Sequence, residues 1–235
     1  MRANSNEIYL NGEYFRNNPN WGAEDSTWKA GIIQNLLHRN FLSPEEITEI
    51  GCGAGGILES LSFDFPSCKF KGFDISPHAI NIAKKKTSDR LQFFNQDFSN
   101  VDHFQSDLIM VIDVLEHVDN YYEMLRQVKR CGKYFMFHIP LDLSCRTILK
   151  PHILLQQRTS VGHIQYFSKE MVEWMLADSG FKIIDWVYTK PVTDMTVADN
   201  HKRRIKKGLR NFSFSISKDL SAKLWGSYSM MVLAK

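Results

Sequence analysis

Glu49-Ile50-Gly51-Cys52-Gly53-Ala54-Gly55-Gly56 follows a short apolar segment, and its reading decides the fold of this 235-residue chain. Glycine supplies backbone angles and close approaches that a side chain forbids, so a glycine-dense turn between strand and helix suits a cradle for a nucleoside cofactor. Two spacings are superimposed. Gly51, Gly53 and Gly56 match G-x-G-x-x-G, the dinucleotide pattern in which a pyrophosphate approaches a helix N-terminus. Gly51, Gly53 and Gly55 equally match G-x-G-x-G, with Glu49 just ahead of it. Asp74, 23 residues after Gly51, stands where a second strand would end on a carboxylate able to bind ribose hydroxyls. Both patterns want that acid, so the loop alone leaves the cofactor open.

Around the loop the chain alternates short apolar segments with amphipathic ones. Strands are expected at Ile47 to Ile50, Cys68 to Phe73, Leu91 to Phe94, Leu108 to Ile112, Tyr134 to Ile139, Phe181 to Tyr188 and Tyr228 to Ala234. Helical spacing recurs at Ile57 to Leu61, Pro77 to Lys86, Tyr121 to Arg130 and Lys169 to Ser179. Ser76 before Pro77 is a helix start, because proline at the first helical position lacks an amide that would have no partner anyway. An earlier helix carries Trp28, Ile32, Ile33, Leu36 and Leu37 on one face, with Asp25 or Ser26 as its cap. Such alternation implies an α/β domain with a mainly parallel sheet covered on both sides. Without repeats or a low-complexity linker, one domain is expected: an N-terminal lid over 1–45, a core over 46–190, an insertion over 191–226 and a last strand over 227–235.

Composition narrows the partners. Cys52, Cys68, Cys131 and Cys145 show neither C-x-x-C pairing nor metal-like spacing with histidine, which implies reduced, buried thiols and no metal. No signal-peptide-like run opens the chain, and no stretch approaches the ~18 apolar residues of a spanning helix, so a cytoplasmic protein is expected. A net charge of +3 makes no case for nucleic acid. The run His201 to Arg210, however, holds six basic side chains and no acid. It reads as a solvated helix face, as a site for a phosphorylated or nucleotide-linked substrate or an anionic membrane surface, or as an RNA contact, though no RNA module accompanies it. Ile205, Leu209 and Phe212 give it an apolar side, expected to dock on the body with the basic side chains outward.

Two further segments separate the cofactor classes. Phe94-Asn95-Gln96-Asp97-Phe98 ends the third strand on a carboxylate, a fitting partner for an adenine amino donor. Asp107-Leu108-Ile109-Met110-Val111-Ile112-Asp113-Val114-Leu115-Glu116-His117-Val118 follows. With the glycine loop and Asp74, these motifs resemble class I S-adenosylmethionine (SAM)-dependent methyltransferases of the ubiquinone-biosynthesis type and of types 11 and 12. The resemblance covers about Ile47 to Tyr188 and the last strand. It implies a Rossmann-like seven-stranded sheet whose final strand inserts antiparallel. By position it also implies that Glu49 and the loop Gly51, Cys52, Gly53 and Gly55 hold the methionine portion, that Asp74 binds the ribose, that Ile75 packs on the adenine and Asp97 with Phe98 contacts its edge, and that Ile112 and Asp113 line the floor. Many relatives have Asp where this chain has Glu49. Structural roles stand beside these: helix packing for Gly55 and Gly56, a helix cap for Asp97, a backbone role for Asp113. A nicotinamide-dependent oxidoreductase and a non-catalytic SAM-binding protein are the competing readings.

Methyl transfer to a hydroxyl needs a positioned acceptor and a base. His163, His117 and His138 are the candidates, since imidazole titrates near neutrality; His117 follows the fourth expected strand, His138 sits near the end of the fifth, and His163 lies in the element before the next helix. The segments Leu141 to Gln165 and Pro191 to Trp225, long connections of the kind that form binding loops, would build the acceptor pocket, with Tyr14, Trp21 and Trp28 as a third wall. The layout around Glu24 to Ala30 and Gly162-His163 resembles methyltransferases of bacterial surface-polysaccharide modification, which implies oxygen of a small-molecule, glycan-related or phosphorylated acceptor; N- or O-methylation of another metabolite or a quinone precursor is the alternative. The oligomeric state is not legible in the sequence.

Overall fold

The structure is a computed structural model that describes residues 7–18, 23–101, 104–191 and 201–235. Seven strands form one sheet: β1 (Glu46–Ile50), β2 (Lys69–Asp74), β3 (Leu91–Asn95), β4 (Ser106–Ile112), β5 (Gly132–Leu141), β6 (Ile183–Thr189) and β7 (Tyr228–Ala234), in the order β3-β2-β1-β4-β5-β7-β6. β1 to β5 pair in parallel, and β7 inserts antiparallel between β5 and β6. All seven residues of β7 are buried, because it is paired on both edges and covered on both faces.

Period-two alternation splits each central strand between two cores. Leu108, Met110 and Ile112 join the layer with Ile33, Leu36, Leu37 and Leu58, while Ile109 and Val111 join Leu125, Val128, Val172 and Leu176. The first layer is covered by α3 (Ala23–Arg39), α4 (Gly56–Asp64) and α5 (Pro77–Ala83), the second by α6 (Tyr121–Lys129) and α9 (Lys169–Asp178). Ser76 caps α5 by accepting from the Ala79 amide. Two short helices, α1 (Glu7–Leu10) and α2 (Glu13–Asn17), precede this core. The Phe15 ring stacks on His78 at the start of α5, with centroids 5.4 Å apart.

Several expectations change. Asp25 and Ser26 lie inside the first turn of α3 and do not cap it; Trp21 lies outside the described residues. The two long connections carry helices, with α7 (Cys145–Leu149) and α8 (His152–Ser160) in the first and α10 (His201–Ile216) and α11 (Lys218–Trp225) in the second. Residues 192–200 of the second connection are not described. Of the free cysteines Cys52 and Cys68 are buried, but Cys131 is half-buried and Cys145 exposed. Among the described residues no helix is long and apolar enough to cross a membrane.

Gly55 shows why the loop is glycine-rich. It has a φ of 74°, and a Cβ there would lie 2.5 Å from the Phe93 ring. Gly55→Ala is expected to lower stability by about 2–4 kcal/mol, from left-handed strain plus overpacking; a urea denaturation series measures it.

Candidate active site

The loop after β1 turns under the carboxyl ends of the strands. Gly51 and Cys52 both donate their amides to Phe73 O, at 2.8 and 3.0 Å, which ties the loop to the end of β2. A Cβ on Gly51 would meet Val114 Cγ2 at 2.4 Å, so the loop and the end of β4 are in contact only because that residue is glycine. The Asp74 carboxylate accepts from Gly53 N at 2.9 Å and from Ser76 N at 2.8 Å. Burial raises the pKa of Asp74 and those two amides hold it down. Above this loop a cavity of about 620 Å3 opens, within the usual range for a small-molecule site.

Of the residues expected to hold a cofactor, Glu49, Gly51, Cys52, Gly53, Asp74, Ile75, Asp97, Phe98, Ile112 and Asp113 line this cavity. Gly55 is not on its wall and packs against Phe93 and Ala83 instead. Asp97 caps the turn after β3, its Oδ1 accepting from Ser99 N at 2.9 Å and Ser99 Oγ at 2.8 Å, while also lining the cavity. Glu49 is buried, and its Oε2 has no hydrogen-bond partner. Burial lifts its carboxyl well above the ordinary range, although Lys29 opposes the shift. Burial likewise pushes the Cys52 thiol up, away from the reactive thiolate.

A charge network forms the inner wall. Lys29, on α3, is buried and places Nζ 2.8 Å from Asp25 Oδ2 and 2.6 Å from Asp113 Oδ2. Asp113 stands in the left-handed region with a φ of 53°, and its Oδ1 lies 2.6 Å from His138 Nδ1. His138 Nε2 in turn lies 2.8 Å from Thr189 Oγ1 at the end of β6. Burial alone would raise the Asp113 carboxyl, but His138 and Lys29 outweigh it and hold it far below the carboxylate range. Asp113 therefore acts through its side chain as well as its backbone. His138 is buried with both ring nitrogens engaged and does not line the cavity.

The other two histidines meet on the far wall. His117 and His163 pack edge to face with ring centroids 5.0 Å apart. His117 Nδ1 is 3.2 Å from the Gly162 carbonyl, an acceptor, so this nitrogen carries the proton. Burial and the neighbouring His163 lower the His117 pKa to about 4, so its ring is neutral at neutral pH. His163 Nδ1 lies 2.8 Å from Oδ2 of buried Asp142, whose Oδ1 accepts from Gln157 Nε2 at 2.7 Å. That arrangement leaves His163 Nε2 free of the dyad, 4.0 Å from Glu116 Oε1. Glu116 is buried, with Oε2 unpartnered, and burial raises its carboxyl well above the ordinary value. Tyr9 and Tyr14 of the N-terminal helices close the cavity, and Tyr9 stacks edge-on to His117 with centroids 5.8 Å apart. Glu116, His117 and His163 each offer one ligand atom, all within 4.8 Å of one another, a set able to take a divalent cation.

Residues 26–185 match the family of the "Methyltransferase domain", well over half of the chain. The chain belongs to this methyltransferase family. It is 26 % identical over 159 residues to the malonyl-[acyl-carrier protein] O-methyltransferase of Neorickettsia risticii, covering 67 % of this chain and 61 % of that one. It is 30 % identical over 147 residues to the mitochondrial ubiquinone biosynthesis O-methyltransferase of Schizosaccharomyces pombe, covering 55 % and 52 %. The chain thus spans little more than half the length of these curated relatives. Among solved structures it shares its fold with magnesium protoporphyrin IX methyltransferase of Synechocystis PCC 6803 with bound SAH, at a TM-score of 0.60 and 16 % identity over 88 % of this chain and 82 % of the other. The fold is that of class I SAM-dependent methyltransferases, and the site suits SAM: Glu49 presents an unpartnered buried carboxylate oxygen, a counterpart for an ammonium, in the same cavity that the loop residues Gly51, Cys52 and Gly53 line.

Several residues of this methyltransferase site escaped the sequence reading. Lys29, Asp142 and Gln157 sit in segments singled out in the sequence without a pattern that marks these residues, and Tyr9 is in a helix of four residues. Glu116 alone carried a signal, inside the Asp113 to His117 element.

Glu49 gives a stability prediction. Because its folded-state pKa is raised, the stability it contributes is present below the ordinary carboxylate pKa and lost as pH rises through the folded value. Glu49→Gln is expected to raise the melting temperature of the ligand-free protein by about 2–4 °C near pH 8, for about 1 kcal/mol, and by less near pH 5. Differential scanning fluorimetry at the two pH values measures it.

Proposed function

We propose that the chain transfers a methyl group from SAM to an oxygen of a small-molecule acceptor, with His163 as general base. The observation that carries this reading is the Asp142–His163 pair, whose imidazole lines the same cavity as Glu49 and Asp74. When bound, SAM supplies a methyl group activated by its sulfonium. Glu49 would receive the amino end of its methionine portion, Asp74 the ribose hydroxyls and Ile75 the adenine face, with Asp97 and Phe98 at the adenine edge. Asp142 accepts from His163 Nδ1 and so fixes the tautomer in which Nε2 is a base. His163 Nε2 would take the proton of the acceptor hydroxyl as the carbon–oxygen bond forms and the methyl–sulfur bond breaks, the sulfur leaving as a neutral thioether. Tyr9, Tyr14 and the neutral His117 ring keep water out of that half of the cavity. Support for oxygen as the nucleophile comes from the oriented base and from relatives named as O-methyltransferases.

The acceptor is a neutral molecule in this reading. Among the described residues Lys29 is the one Lys or Arg lining the cavity, and Asp25 and Asp113 already occupy it. A phosphorylated or nucleotide-linked intermediate of surface-polysaccharide synthesis, which the sequence resemblance implies, would find no free described cation there. An uncharged sugar or phenol hydroxyl is compatible with the wall.

A second reading rests on the unpartnered Glu116 Oε2. With a divalent cation held by Glu116, His117 and His163, the acceptor hydroxyl would lose its proton through metal ligation.

Release of labelled methyl groups across a panel of neutral hydroxyl compounds, sugar nucleotides and phosphorylated metabolites identifies the acceptor. His163→Ala is then expected to lower kcat by about 10^2–10^4 with SAM affinity within about twofold, and Asp142→Asn to lower kcat in the same direction. Turnover of His163→Ala at the wild-type rate rejects the base. Activity lost on chelation and restored by a divalent cation, with cation binding absent in Glu116→Gln, selects the metal reading over it. Glu49→Gln is expected to weaken SAM binding about tenfold by calorimetry, the size of one charge-assisted hydrogen bond.

A further inference from the structure

α10 is attached to the body by its polar side. Arg210 is buried, donating from Nη2 to Gly226 O at 2.7 Å and to Ser227 O at 3.3 Å, with its guanidinium 4.8 Å above the Tyr228 ring. One turn on, Ser213 Oγ accepts from Trp225 Nε1 at 3.0 Å and lies 2.9 Å from Ser221 Oγ. Phe214 stacks on Tyr228 with centroids 5.2 Å apart. The opposite face carries Ile205, Leu209, Phe212 and Ile216 at i, i+4, i+7 and i+11, and these are 50–69 % exposed. The sequence expectation, apolar side inward, is thus reversed, because the carbonyls of Gly226 and Ser227 at the entry to β7 are met by Arg210. On α11, which packs against α10 and α7, Leu220 and Leu224 are exposed as well, and so are Ile148 and Leu149 on α7.

An apolar stripe that faces solvent marks an interaction surface. Three features select its partner. The stripe lies along a helix of 16 residues, whose sequence from 201 to 217 has six Lys or Arg and no Asp or Glu. Exposed Lys206 and Arg204 stand on the same helix. An in-plane helix of this kind buries its apolar side in the headgroup region and meets anionic lipid with its basic residues. A second copy seated on the stripe would bring a second basic run against the first. We propose that the face formed by α10, α11 and α7 is a docking surface for an anionic lipid bilayer. These helices follow the carboxyl ends of β5 and β6 and lead into the start of β7, so they cap the edge of the sheet on which the cavity opens. Docking there turns that edge toward the membrane.

The test is sedimentation of the full chain with phosphatidylcholine vesicles, with and without phosphatidylglycerol, at low and high salt. Expected is binding to the anionic vesicles alone, lost at high salt, weakened about tenfold or more in Leu209→Gln/Phe212→Gln and about fivefold in Lys206→Glu, on the scale of one basic residue. Circular dichroism and SAM calorimetry on the same samples show that the variants are folded and separate this result from any failure of the methyltransferase reading. No binding to anionic vesicles, equal binding to neutral ones, or variants that bind as wild type overturn the proposal. So does a wild-type dimer by light scattering that Leu209→Gln/Phe212→Gln converts to monomer, since the stripe is then covered by a second copy.

Discussion

Asp113 holds the site together by sharing one carboxylate between two side chains from different elements. One oxygen meets Lys29 of α3 and the other meets His138 of β5, which is anchored in turn on Thr189 of β6. A buried lysine and a buried carboxylate would each be expensive alone, and removing either partner leaves the other uncompensated. The pair therefore fixes α3 against the end of β4, and does so from a left-handed backbone at Asp113. Strain of this kind persists only where surrounding contacts enforce it. Here they are the two ion-pair partners and the hydrogen bond from Asp113 N to His138 O, 3.0 Å long.

With Lys29 paired to Asp25 and Asp113, the buried acids Glu49 and Glu116 on the cavity wall have no ion pair to a lysine or arginine among the described residues. Glu49 and Glu116 each keep an unpartnered buried oxygen, one on the cofactor side and one on the acceptor side. Unmet buried polar atoms are costly, and where they line a cavity they are best explained by a ligand that meets them. The two halves thus share a physical device. Each stores an electrostatic demand in the ligand-free protein, and burial, which raises both carboxyls, sets its size.

The core and the cofactor half were largely legible in sequence. Strand-length apolar runs predicted all seven strands to within a few residues at their ends, because a sheet buried on both faces needs continuous apolar segments. Helices α4, α5, α6 and α9 carried a clear apolar face against that sheet. Helices α7, α8, α10 and α11 did not, since they cap the strand ends and bury little: no residue of α8 is buried. For α10 the inference on orientation failed outright. Periodicity shows which residues share a face, and it does not show that buried carbonyls at residues 226 and 227 draw an arginine inward.

The sequence by itself determined the glycine cradle, the acids at the strand ends and the family, because each is a local pattern of neighbours along the chain. Only the tertiary structure decided which histidines face the cavity. His117 follows β4, His138 lies near the end of β5 and His163 precedes α9, and none of these places shows its surroundings, which come from residues far away in the chain. Thr189 and Asp113 close around His138, whereas Asp142 and Gln157 orient His163 toward the cavity. A side chain's partners across the fold set its chemistry, and those partners are brought together only when the chain has packed.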